Sequence, residues 1–315
     1  LSRGLGDVYK RQAEVSYNKS INKDFGFNVA FNMSAIKNKM TELDGDVSYI
    51  GLPTSVIHSL NFDQEVSRSA IGQPIGSFYA YKEDGLFQSE AEIKSYTNNK
   101  GELLQPNAKP GDIKFVDVNG DGVIDGNDRD YIGNPLPDVT AGLTLGVNFH
   151  NFDLSLFFQG MFGNDVYDLT RYVGDFYNQS QYNKNSRVVN AWTPTNTNTD
   201  IPRVTMDDPN NNIRPSSYYV QDASFVRLKN MKIGYSVPQS ILSKIKFNSL
   251  YIYAQATNLF TITGYDGIDP EVGLQSYSSD YRNLDMGVDR GIYPLSRTFT
   301  SVSYTHLRAH ETGRN

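Results

Sequence analysis

The sequence of 315 residues is long enough for one large domain or two, and 38% apolar residues suffice for a folded core. Zero Cys excludes a disulfide-stapled module and thiol chemistry, and a net charge of −6 without a basic run argues against a nucleic-acid partner. Aromatics are the unusual part of the composition: 21 Tyr and 17 Phe stand beside one Trp.

Taken in chain order, the first stretch to account for is "GLGDVYKRQ" (Gly4 to Gln12), and it belongs with "VSYTHLRAHE" (Val302 to Glu311) at the other end. Asp7 to Gln12 can be encoded as GAT GTG TAT AAG AGA CAG. The reverse complement of that DNA, read two bases in, encodes Val-Ser-Tyr-Thr-His, which is Val302 to His306. Two unrelated protein ends should not be reverse complements, so residues 1–12 and 302–315 are expected to be translated transposon-end adapter and are set aside. Five basic and two acidic residues go with them, so the 29 basic and 35 acidic residues become 24 and 33, a net charge of about −9. The pair His306 and His310, at metal-ligand spacing, goes too. The remainder, residues 13–301, is expected to be an internal piece of a longer protein.

From there the chain alternates. "AEVSYNKSI" (Ala13 to Ile21) begins as a strand, and after "NKD" (Asn22 to Asp24) the odd positions from Phe25 read Phe, Phe, Val, Phe, Met, Ala against Gly, Asn, Ala, Asn, Ser. The same period of two recurs from Val139 to Phe149 and, after His150-Asn151, from Phe152 to Phe162. Further strands are expected over Ser224 to Pro238, Ser249 to Thr263 and Tyr293 to Thr300. The apolar phase slips between Leu228 and Met231, which predicts a bulge near Lys229-Asn230.

Ordinary strands have about five or six residues. These have about ten or more, the length a tilted strand needs to cross hydrocarbon, and carry aromatics such as Phe25, Phe149, Phe152, Tyr251 and Tyr253 near their ends. No apolar run is long enough for a membrane helix, which needs about 18 residues. The competing architecture is a β-sandwich with long strands. Connection lengths separate the two: Asn22 to Asp24, His150-Asn151 and Pro238 to Phe247 are short, while residues 39–137, 164–223 and 264–292 are long, and short alternates with long throughout. That is the arrangement of an outer-membrane barrel with short periplasmic turns and long extracellular loops.

The segments "IGQPIGSFYAYKEDGLFQ" (Ile71 to Gln88), "KPGDIKFVDVNGDGVIDGNDRDYIGNPLPDVTAGLTLG" (Lys109 to Gly146), "ASFVRLKNMKIGYSVP" (Ala223 to Pro238), "AQATNLFTITGYDGIDPEV" (Ala254 to Val272) and "YPLSRTFT" (Tyr293 to Thr300) resemble, in order, signatures of the SusC/RagA-type TonB-linked outer-membrane transporters of Bacteroidetes. The resemblance implies an all-β fold, the C-terminal part, roughly seven strands, of a large antiparallel barrel of about 22 strands around a plug. It further implies import of glycan oligosaccharides, or in some members peptides. The implied partners are a SusD-like surface lipoprotein, TonB-ExbB-ExbD acting through the missing N-terminal part, and outer-membrane lipid. The TonB box, the plug and the terminal aromatic insertion signal of such proteins are absent from this sequence.

Within "DVNGDGVIDGND" the positions match a twelve-residue calcium loop: Asp117, Asn119, Asp121, the Val123 carbonyl, Asp125 and Asp128, with Gly122 at the sharpest turn. The last ligand is Asp where EF-hands use Glu, and the preceding "GDIKFV" (Gly111 to Val116) reads as strand. A structural calcium, an Asx-rich turn without metal and a direct role in transport all remain open for this loop. No catalytic constellation is expected: His58 and His150 stand beside no nucleophile, and no Asp pair is singled out for glycosidase work. Substrate contact is expected instead from loop aromatics, chiefly Tyr172, Tyr177, Trp192, Tyr218 and Tyr265, with Tyr167, Phe176, Tyr182, Tyr219, Tyr277 and Tyr281 nearby. Three function classes are therefore carried: a transporter barrel, a secreted calcium-stabilised β-sandwich binding or adhesion module, and a glycan hydrolase.

Overall fold

The computed structural model describes residues 4–51, 64–177, 183–245, 247–273, 284 and 286–307. His58, Tyr182, Tyr277, Tyr281 and His310 lie outside them. Seven long strands follow one another: β1 Gly4–Ser20, β2 Phe25–Leu43, β3 Val139–Phe149, β4 Phe152–Phe162, β5 Phe225–Ser236, β6 Phe247–Thr257 and β7 Thr298–Leu307. They form one sheet in chain order, every neighbour antiparallel, with the short strand Thr261–Thr263 also paired to β5. An up-and-down meander of this kind is the wall of a barrel.

Register carries the alternation across the whole sheet. Phe27, Val147, Leu154, Ile233 and Ala254 lie side by side on one face, and Asn28, Gly146, Ser155, Lys232 and Gln255 on the other. The apolar face is uncovered: Phe31, Phe149, Phe152, Ile233 and Phe299 are between 41% and 72% exposed. A sandwich needs a second sheet packed on that face. Among the described residues the other sheets are small and belong to the long loops, so the sandwich is overturned.

The bulge falls where the phase slip placed it. Phe157 pairs with Asn230 and Phe158 with Leu228, leaving Lys229 as the extra residue. Two strand boundaries differ from expectation. The sixth strand breaks after Thr257, where Asn258 turns left-handed at φ +51°, before Thr261–Thr263 resumes pairing beside Phe225–Arg227. The seventh begins at Thr298 rather than Tyr293, because Pro294 has no amide to donate and the Leu295 amide is taken by the Asp269 carboxylate.

β1 and β7 run through residues read as adapter, and the alternation fails there. Arg11 stands opposite Ala35 on the apolar face, while Val302 and Tyr304 fall on the polar face and Ser303 on the apolar one. Ladder bonds join backbone groups and form whatever the side chain.

All three short connections lie at one end of the sheet and all three long ones at the other. The short end includes the His150-Asn151 turn, with His150 left-handed at φ +52°, and a helix Gln239–Ile245. His150 is a surface residue whose Nδ1 lies 3.4 Å from Asp24 of the neighbouring turn. At the long end the loops fold together. Phe78, Ile113 and Phe115 of the first, Tyr167, Leu169, Trp192, Tyr218 and Tyr219 of the second, and Leu284 and Val288 of the third share one apolar core. The Ser67 hydroxyl donates to the Leu284 carbonyl across the first and third loops, and Val288–Asp289 of the third pairs parallel to Asp165–Asp168 of the second.

Candidate functional site

Of the loop aromatics expected to meet a ligand, Tyr172, Trp192 and Tyr218 build this core, and Tyr265 packs in a smaller cluster with Val166 and Ala223. Tyr172, Trp192, Tyr218 and Tyr265 are only 3% to 7% exposed, and of the five only Tyr177, at 41%, presents much surface. Further protein around the sheet can only add cover, and the buried four present little ring surface for stacking. The physical reason is area: large rings left in water forfeit hydrophobic free energy, and their polar tips can be satisfied inside. The Tyr218 hydroxyl donates to Asp175 at 2.6 Å, the Tyr265 hydroxyl to Asp289 at 2.6 Å and the Trp192 indole to Gln88 at 2.9 Å. Burial, with nearby carboxylates adding to it, pushes both Tyr218 and Tyr265 well above the ordinary phenol range. Gly111 of "KPGD" turns at φ +88° with its α-carbon against the Trp192 ring, where a Cβ would lie 2.4 Å from a ring atom.

The calcium-type residues share one turn. Asp117 accepts from the amides of Gly120 and Gly122 at 2.7 and 2.9 Å, Asn119 Oδ1 from Asp121, and Asp121 Oδ1 from Val123. Asp125 accepts from Asn127 and caps the short 3-10 helix Gly126–Asp128. Asp128 is fully buried and accepts from Val118 and Asp125 at 2.9 and 2.7 Å. Gly120 and Gly122 take the left-handed positions. The approach is a strand, Ile113–Phe115, as expected. In chemistry the turn suits a hard cation: its donors are oxygens, and a carboxylate oxygen that accepts one amide keeps a second lone pair. Yet among the described residues no three acidic side chains are gathered as a bound ion would gather them. The turn closes on its own amides.

Two polar networks hold the loops to each other and to the wall. The edge of Ile113–Phe115 is completed by side chains: Asn212 accepts from the Ile113 amide, Gln105 from the Phe115 amide, and Asn210 donates to the Ile113 carbonyl. Asn212 in turn donates to the fully buried Asp112, which pairs with Arg203 at 2.7 Å. The other network starts on β5. Arg227, 2% exposed, reaches Asp269 and Glu271 of the third loop at 2.6 and 2.9 Å, and the bulge residue Lys229 shares Glu271 at 3.0 Å. The bulge frees Lys229 from the ladder for this use.

A cleft of about 580 Å³ opens between the second and third loops, lined by Arg171, Arg187, Asp168, Asp266 and Asp289 among others. Burial raises the Asp168 carboxyl above the usual range against the opposing pull of Thr170 and Arg171. Sequence reasoning missed this cleft. Its groups come from segments about a hundred residues apart, such as Arg171 and Asp266 at 3.0 Å, and no motif spacing links them.

No family model matches the chain. Among known proteins it is 36% identical over 301 residues to TonB-dependent receptor P3 of Formosa agariphila, covering 95% of this chain and 28% of that protein. It is 26% identical over 306 residues to TonB-dependent receptor SusC of Bacteroides thetaiotaomicron, covering 95% of this chain and 26% of the relative. Its fold matches a solved structure of the RagAB peptide transporter with a TM-score of 0.69 at 23% identity, over 96% of this chain and 30% of that one. The chain thus spans under a third of the length of these proteins.

Proposed function

Because this chain is a segment of a SusC/RagA-type TonB-dependent receptor, we propose that it forms the C-terminal wall and three extracellular loops of an outer-membrane importer. The observation that carries the reading is the uninterrupted seven-strand meander, apolar on one face and polar on the other, with every long loop at one end. Hydrocarbon tolerates an exposed apolar sheet face only where all ladder bonds are made, which a closed barrel provides and this segment alone does not.

The cargo in this reading is a glycan oligosaccharide, with peptide as the alternative that the likeness to the RagAB peptide transporter favours. A SusD- or RagB-like surface lipoprotein covers the loop end, and TonB acts through parts of the receptor outside this chain. The Asp117–Asp128 turn takes one calcium ion as a structural element of the first loop. The relatives are receptors rather than hydrolases, and the reading assigns no catalysis.

The test is genetic and direct. Deleting the complete receptor gene should abolish growth on one oligosaccharide or peptide source and uptake of that source in labelled form, and collapsing the proton-motive force should do the same. Unchanged uptake of every source tried would overturn the import reading.

A further inference from the structure

The cleft between the second and third loops is lined by no aromatic ring among the described residues, so a sugar face finds nothing there to stack on. Two guanidiniums supply its recognition chemistry. Arg171 Nε lies 3.4 Å from Asp168 and Arg187 Nη1 3.5 Å from Asp175. Charge-assisted hydrogen bonds run to about 2.7–2.9 Å. Both nitrogens are therefore buried at ion-pair range with no hydrogen-bond acceptor among the described residues, and a buried donor in that state calls for an explanation.

The buried carboxylates nearby are satisfied by other groups. Asp168 accepts from the Thr170 amide and hydroxyl and from Gln221. Asp175 accepts from Tyr218 and Asn185, and Asp289 from Tyr265 and the amides of Gly291 and Ile292. The outer edges of the two guanidiniums are covered differently. Asp266 stands 3.0 Å from Arg171 Nη2 and Asp200 3.3 Å from Arg187 Nη2, with side chains 62% and 74% exposed. Exposed pairs of this kind hold weakly.

We propose that Arg171 and Arg187 form a subsite for a carboxylate of the cargo, which replaces the exposed carboxylates of Asp266 and Asp200. One cargo carboxylate shared by the two guanidiniums takes the place of two weakly held ones, and the displaced aspartates, already 62% and 74% exposed, return to water at little cost. Such a carboxylate belongs either to the C-terminus of a peptide or to a uronic acid of an oligosaccharide. The proposal rests on the import reading for the nature of the cargo, but binding to the subsite does not depend on transport.

Calorimetry on the intact detergent-purified receptor tests it with two matched pairs: tetra-alanine against its C-terminal amide, and tetragalacturonate against its methyl ester. In one pair the free acid should bind about tenfold to a hundredfold more tightly, the worth of a charged hydrogen-bonded contact, and the pair that responds identifies the source. Arg187→Gln should erase that preference and Arg187→Lys should restore only part of it. Asp266→Asn and Asp200→Asn, at exposed positions, should tighten the acid, opposite to what loss of a structural ion pair would do. Neither acid preferred over its blocked form, or a preference that survives Arg187→Gln, overturns the subsite. Loss of uptake evidence with the acid preference intact would instead sink the import reading alone.

Discussion

Arg227 on the wall strand and Asp269 in the third loop meet at 2.6 Å, with the guanidinium almost wholly buried. Removing one partner of a buried pair costs about 3–5 kcal/mol where the charge is left alone, and Glu271, still 2.9 Å from Arg227, makes the loss here smaller. Asp269→Ala in the intact receptor should therefore lower thermal stability and open the third loop to protease. The double variant Arg227→Met with Asp269→Leu should recover much of the loss. A double variant as unstable as the single one would show that the pair is not what anchors the loop.

The same aspartate should respond to acid. Burial is the largest influence on Asp269 and pushes its carboxyl up, but the Glu271 amide, Arg227 and the Leu295 amide together hold it below the usual carboxylate range. A depressed folded value means that the stability it contributes is present above the unfolded value and is lost as pH falls through the folded one. Loosening of the third loop should appear only below about pH 4, and Asp269→Asn should abolish that step.

Glu83 is expected to act in the opposite sense. Burial, reinforced by Asp200 and Asp84 and opposed by Arg171, raises its carboxyl to about 7. The folded state then holds a proton that the unfolded state has released, so stability falls as pH rises from the ordinary glutamate value toward 7. Glu83→Gln should flatten that decline and stabilise the loops at pH 8 by roughly 2–3 kcal/mol. Identical melting profiles for the two proteins between pH 4 and 8 would contradict this.

Spin labels on β3 report the orientation of the wall. Labels at Leu143, Leu145 and Val147 should be relaxed by oxygen dissolved in lipid, and labels at Thr140, Thr144 and Asn148 by a water-soluble nickel reagent. The reverse pattern would place the apolar face inward and refute the barrel.

Calcium should bind the Asp117–Asp128 turn weakly, with a dissociation constant on the order of 0.1–1 mM as in extracellular modules. Calorimetric titration of the intact receptor should show this step, and Asp117→Asn should remove it while leaving the fold. No heat in that range from the unaltered receptor would leave the turn as a self-satisfied Asx structure.

The wall was legible in the sequence because a strand's side-chain period is a local property. Phe27, Val147, Leu154 and Ile233 announce their face through neighbours two residues away, and the slip between Leu228 and Met231 announces the bulge at Lys229 by the same means. Loop lengths then placed the three long segments at one end without any knowledge of what they contain.

Loop content was decided only in three dimensions. Tyr172, Trp192, Tyr218 and Tyr265 have the composition of a sugar platform, yet whether a ring faces water or a neighbour depends on segments a hundred or more residues away, such as Gln88, which accepts from the Trp192 indole. The charged cleft was illegible for the same reason: Arg171 and Asp266 converge because Asp165–Asp168 pairs with Val288–Asp289, a parallel bridge between two loops that leaves no period in either sequence. Alternation along the chain thus determined the strands and their faces, while burial and charge pairing among the loops had to await the tertiary fold, because hydrophobic area and ion pairs respond to proximity in space rather than along the chain.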